Sequence, residues 1–148
     1  MSKPLRYVDE VLSLIDKAEG DEKDRLLKEW GGQHPYNMIL SLNFNDKVQL
    51  NVPSGVPPYK QDTSQHPDTY QTTLSQQIKR VKGILKGNSE HIKQLHRESI
   101  FIQVLEGIPH KEAEVLIFAK DKALTELYPT ITFDFVQKHF PSFCVKKD

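Results

Sequence analysis

The sequence predicts a mainly α fold, a compact multi-helix domain with a long proline-rich central loop and at most one short strand pair. Three observations predict it. Apolar residues recur every three or four positions through most of the chain, and glycine or proline interrupts each such stretch. The exception is the span 44–69, where Pro53, Gly55, Pro57, Pro58 and Pro67 occur without helical periodicity.

Each element follows from local pattern. Tyr7, Val8, Val11, Leu12, Leu14, Ile15 and Ala18 keep helical spacing, predicting an amphipathic helix over 5–18 that Gly20 ends. A second helix over 21–30 opens on acidic residues, which suit the positive end of a helix dipole, and stops at Gly31-Gly32; a third, over 35–42, starts at Pro35. The loop 44–69 is long for a compact domain. Val48, Leu50, Val52, Val56 and Tyr59 give it enough apolar anchors to lie on the core as an ordered strap, with 47–52 its one candidate strand.

Leu74, Ile78, Val81 and Leu85 repeat at i, i+4, i+7 and i+11, predicting a helix over 70–86 that Gly87-Asn88 terminates. Ser89 is expected to cap the next helix, which carries Ile92, Leu95, Ile100, Ile102 and Leu105. Pro109 opens a helix over 109–124 carrying Ala113, Leu116, Ile117, Ala119, Ala123 and Leu124, and Thr132 caps a last one over 133–140 that Pro141 ends. Ile102, Leu105, Leu116 and Ile117 should be buried around the junction of Gly107 and Pro109.

A chain of 148 residues with 37% hydrophobic side chains suits one domain spanning 1–148. Its 20 basic and 20 acidic residues cancel, so overall charge does not support non-specific nucleic-acid binding. The charges are polarised instead. Between Asp9 and Glu29 eight acids face four bases, whereas between Lys79 and Arg97 six bases face only Glu90. Lys79, Arg80, Lys82, Lys86, Lys93 and Arg97 are therefore the candidate partner-binding residues, with Tyr59 and Lys60 of the loop beside them. Lys79, Lys82 and Lys86 would share one face of the helix over 70–86, where like charges repel unless acids interleave. A solvated face is the plain alternative.

Functional chemistry is sparse. The six histidines lack His-Glu-x-x-His spacing, and His91 and His96 are five apart, which diverge on a helix. His110-x-Glu112 opens like a zinc deaminase signature, but that chemistry needs paired cysteines and the chain has one. No metal and no cofactor is expected. Cys144, between Phe143 and Val145, reads as a small apolar side chain rather than a nucleophile. Glu106, Glu112 and Glu114 flank a helix junction, where acids near a helix N-terminus are stabilising in their own right. An enzyme is not expected; it would require a set such as His96, Glu98 and Glu106 to converge in a pocket. The start Met1-Ser2-Lys3-Pro4 leads into an amphipathic segment, and the longest apolar run, Val115 to Ala119, is far short of the roughly 18 residues that span a bilayer. A cytoplasmic protein without membrane contact is expected.

Two resemblances bear on function. The stretch from Arg97 through Leu105-Glu106-Gly107-Ile108-Pro109 to Glu114 resembles the first two helices of a sigma-factor-type helix-turn-helix, but Val115-Leu116-Ile117-Phe118-Ala119 then continues as core rather than as a polar recognition helix. Tyr7-Val8-Asp9-Glu10-Val11-Leu12, Pro57-Pro58-Tyr59-Lys60, and the Arg97-Glu98, Phe101-Ile102-Gln103, Leu105-Glu106-Gly107 and Glu112-Ala113-Glu114 pieces resemble an uncharacterised family of small proteins of large contractile-tailed phages, including cyanophages. The chain departs most from that pattern over 61–73. The resemblance implies phage origin and the host cytoplasm, and brings no activity, cofactor or catalytic residue. The expected function is that of a non-enzymatic phage accessory protein binding a protein partner. The alternatives are a nucleic-acid-associated factor in replication or late transcription, and a minor virion component.

Overall fold

Local pattern and burial together produce seven α-helices among the residues that the computed structural model describes, 7–59 and 72–146. They are α1 (Val8–Lys17), α2 (Gly20–Gly31), α3 (Tyr36–Phe44), α4 (Leu74–Lys82), α5 (Gln94–Gly107), α6 (His110–Lys120) and α7 (Phe133–His139), with 3-10 turns at Leu124–Glu126 and Pro141–Phe143. The fold is mainly α. Helix α6 is central: Ala113, Val115, Leu116, Ile117 and Ala119 are buried, and α1, α3 and α5 pack against it. Helix α1 is amphipathic and turns only Val8, Val11, Leu12 and Ile15 inward. Burying each such side chain contributes about 1.5–3 kcal/mol.

The chain repeatedly closes helix C-termini with lysine. Lys23 Nζ donates to the carbonyls of Ile15 and Asp16 at 2.9 and 3.2 Å, at the end of α1. Lys122 Nζ donates to Leu42 O at 2.5 Å near the end of α3, and to Asn45 O and Val48 O at 3.1 and 2.9 Å beyond it.

The strap 44–59 is pinned by charged side chains rather than by a sheet. Lys120 Nζ donates to Pro53 O and Gly55 O at 3.1 and 3.0 Å, Arg97 Nε donates to Asn51 O at 2.9 Å, and Asp121 accepts from the Gly55 amide at 3.0 Å. Gly55 has φ of 88°, a conformation that favours glycine. The candidate strand 47–52 shrinks to a single antiparallel bridge between Leu50 and Leu85, and a parallel bridge joins Asn45 to Val145. No strand forms among the described residues.

Several boundaries differ from expectation, one through a local cap and the others where a tertiary hydrogen bond outcompetes continued helix. Helix α4 begins at Leu74, after a capping box in which Thr73 Oγ1 accepts from the Gln76 amide and Gln76 Oε1 accepts from the Thr73 amide. It ends at Lys82, four residues before the expected limit, because Asn51 N donates to Ile84 O and Lys86 N to Gln49 O, both at 2.8 Å. This turn buries Ile84 and leaves Leu85 half-buried. Ser89 caps no helix: fully buried, it donates to Leu85 O and accepts from Asn51 Nδ2, and α5 starts at Gln94 with Lys93 as its N-cap. Helix α6 stops at Lys120, since Lys122 adopts φ of 60° and Leu124 N turns to Asn43 Oδ1 at 3.0 Å. Around the α5–α6 junction Leu105, Leu116 and Ile117 are buried as expected, whereas Ile102 is half-buried and Leu95 is 83% exposed.

Candidate partner-binding face and a buried carboxylate

The basic residues separate into two groups once placed on these elements. Lys79 and Arg80 are exposed on α4, and Lys82 ends it, half-buried. Lys79 and Lys82 are three apart and share a helix face. Lys86 does not extend that face, because α4 has ended; its Nζ donates to Gln49 Oε1 at 3.0 Å on the strap. Arg97 is likewise spent on structure, holding Asn51 O and the carbonyl of Ile92. Lys93 is exposed at the start of α5, Tyr59 packs half-buried against the core, and Lys60 lies outside the described residues.

The electrostatics of the α4 face are one-sided. Arg80 donates to the neutral amides of Gln77 and Gln103 at 3.5 and 2.9 Å, and Lys82 Nζ lies 3.5 Å from His34 Nδ1. Among the described residues, none of Lys79, Arg80, Lys82 and Lys93 pairs with a carboxylate. Glu90, the one acid in that stretch, folds back onto the Gly87 amide at 2.9 Å, and that bond holds its carboxyl below the usual range. On α2 the chain behaves differently: Arg25 is paired with Glu22 at 2.5 Å and Glu29 at 3.1 Å.

The most unusual group is Glu112, which sequence reading placed near a helix N-terminus but not in the core. Its carboxylate is fully buried and accepts the Val8 amide on Oε2 and the Leu74 amide on Oε1, both at 2.8 Å. Those amides are the first of α1 and α4, and Glu112 itself lies in the first turn of α6, so three helix N-termini meet on one carboxylate. Burial pushes its pKa up to about 7, against the two amides that favour the charged form. Glu112 shares its face of α6 with the buried Val115, Leu116 and Ala119, a spacing that could have flagged it as an inward acid.

The remaining candidates scatter. His96 and Glu106 are exposed and Glu98 half-buried, all on α5, where Glu98 and Glu106 are roughly 12 Å apart along the axis, so they do not converge. His110 Nε2 pairs with Glu114 and His139 Nε2 with Asp24, each at 2.8 Å, while His34 and His91 are exposed and His66 lies outside the described residues. Burial pushes the Cys144 thiol up to about 11, which keeps it protonated at neutral pH. The helix-turn-helix likeness fails at α6: a helix buried against α1, α3 and α5 cannot enter a DNA groove. No helix among the described residues is long and apolar enough to cross a membrane.

Comparison with known proteins adds one match. No curated protein and no solved structure matches the chain. A family model described as a family of unknown function, DUF6433, matches residues 11–126, a span that includes α2 to α6, the strap, the basic face and Glu112. The chain therefore belongs to the family of unknown function DUF6433.

Proposed function

We propose that the chain is a non-enzymatic, phage-encoded accessory protein that acts in the cytoplasm of the infected cell by binding a partner protein through the α4 face. The observation that carries this reading is the set of exposed cations Lys79, Arg80 and Lys93, with the half-buried Lys82, which have no carboxylate partner among the described residues in a chain that pairs Arg25 twice. Unpaired like charges on a helix cost a few tenths of a kcal/mol per pair, and an acidic partner surface would remove that cost. The resemblance of the Tyr7-Val8-Asp9-Glu10, Pro57-Pro58-Tyr59-Lys60 and Arg97-to-Glu114 segments to small proteins of contractile-tailed phages supports the cellular setting.

A tagged pull-down from infected cells, with and without nuclease, tests it. A protein partner should be recovered in both cases, and the Lys79→Glu, Lys82→Glu double variant should slow association about tenfold. Equal association of wild type and variant would remove this face. A partner lost on nuclease treatment, with affinity falling steeply in salt, would favour the nucleic-acid reading instead. Recovery of the chain in purified particles would favour a virion role.

A further inference from the structure

A cleft of about 340 Å³ opens between the strap and the C-terminal end of α6, at the lower end of the roughly 300–1,000 Å³ typical of small-molecule sites. Its wall carries Lys86, Lys120 and Lys122 against one acid, Asp121. We propose that this cleft binds a small molecule bearing an oxyanion, a role separate from the α4 face.

The charge balance is the first argument. Asp121 is already committed, with Oδ1 on Lys120 Nζ at 2.6 Å and Oδ2 on the Gly55 amide at 3.0 Å. Among the described residues Lys122 forms no such ion pair. Its ammonium protons go to three neutral carbonyls, and Asp46 acts on it only as a charge at longer range. A half-buried cation bonded only to carbonyl dipoles, with the Asp46 charge acting through space, leaves a positive potential on the cleft wall that an anion would fill.

Donor capacity is the second argument, and it divides the roles. Lys120 and Lys122 each satisfy three acceptors and supply field rather than ligation. Lys86 Nζ is exposed and holds one acceptor, Gln49 Oε1, so two of its three protons are available. The Ser54 hydroxyl, also exposed on the wall, has no acceptor among the described residues. Lys86 and Ser54 would therefore contact the oxyanion directly. Val52, half-buried on the wall with Leu50 behind it, adds an apolar surface, which suits an anion carried on a compact apolar body rather than a bare inorganic ion.

The test titrates the intact protein with phenyl phosphate, inorganic phosphate and benzyl alcohol, followed by calorimetry and by amide chemical shifts. Phenyl phosphate should bind saturably and shift the amides of Ser54, Lys86 and Asp121; inorganic phosphate should bind more weakly, and benzyl alcohol should not bind. Lys86→Gln, with its urea melt compared with wild type because Lys86 also holds Gln49 on the strap, should weaken phenyl phosphate by about tenfold, and Ser54→Ala by several-fold. The Lys79→Glu, Lys82→Glu variant should bind it as wild type does. Absence of saturable binding, shifts that map to α4 instead, or unchanged affinity in Lys86→Gln would each overturn the proposal.

Discussion

Glu112 sets the pH response of this molecule. Its folded-state pKa stands at about 7 against an ordinary 4.5, so between those values the folded chain binds a proton that the unfolded chain has released. Stability from this group is thus fully present below about pH 4.5 and is lost as pH rises through about 7, by something of the order of 3 kcal/mol. Asp9, whose carboxyl burial also raises, adds in the same direction. Asp24 and Glu90 are held low and act only below the ordinary carboxylate range, outside this window. Urea melts at pH 5 and pH 8 should therefore show the wild type less stable at pH 8, and Glu112→Gln should flatten that difference. A second residue-scale prediction concerns Lys122. Lys122→Met removes the ammonium from three carbonyls, of which Asn45 O keeps the Val48 amide, and should cost about 2 kcal/mol or more in urea unfolding. Neither residue was legible for what it does. Glu112 accepts from Val8, 104 residues away, and Lys122 donates to Leu42, 80 residues away, and local spacing carries no signal of contacts that distant.

Helix existence was legible throughout, because each amphipathic or apolar stretch sits between glycine or proline breaks. Helix ends were less so. The Leu74-Ile78-Val81-Leu85 stripe looks continuous, yet the chain leaves the helix at Gly83 and buries Ile84. The decisive bonds come from Gln49 and Asn51 on a strap with no periodic pattern. At the other end the capping box of Thr73 and Gln76 is a local signal in plain view, and Thr73→Ala should lower the melting stability by about 1 kcal/mol. For the α5–α6 pair, Leu105→Ala should cost about 2–5 kcal/mol, since Leu105 is 1% exposed, while Ile102→Ala should cost less because Ile102 is half-buried. Comparing the two chemical melts checks which side of α5 faces the core.

Across the whole molecule the charges are arranged by use. On α2 Arg25 is paired within the helix with Glu22 and Glu29, Lys120 and Lys122 face inward to the strap, and Lys79 and Arg80 of α4 face out. The polarity was readable from sequence. Which cations are structural was not: Arg97 and Lys86 belong to the same run as Lys79 and Lys82, and only the strap's position separates them. Reversing Lys79 and Lys82 together should leave the melting temperature within about 2 °C of wild type, as surface changes do, while changing association. Thermal denaturation of that variant distinguishes a binding face from a structural one.

The meeting of three helix starts on Glu112 also fixes an order of events during synthesis. The amide of Val8 leaves the ribosome 104 residues before the carboxylate that receives it. At about 5–20 residues per second this is a delay of roughly 5–20 s, during which the first turn of α1 has no acceptor from α6. The amide of Leu74 follows later and waits for the same carboxylate across only 38 residues. Helix α1, made well before α6, therefore gains this N-terminal bond only once α6 has been translated.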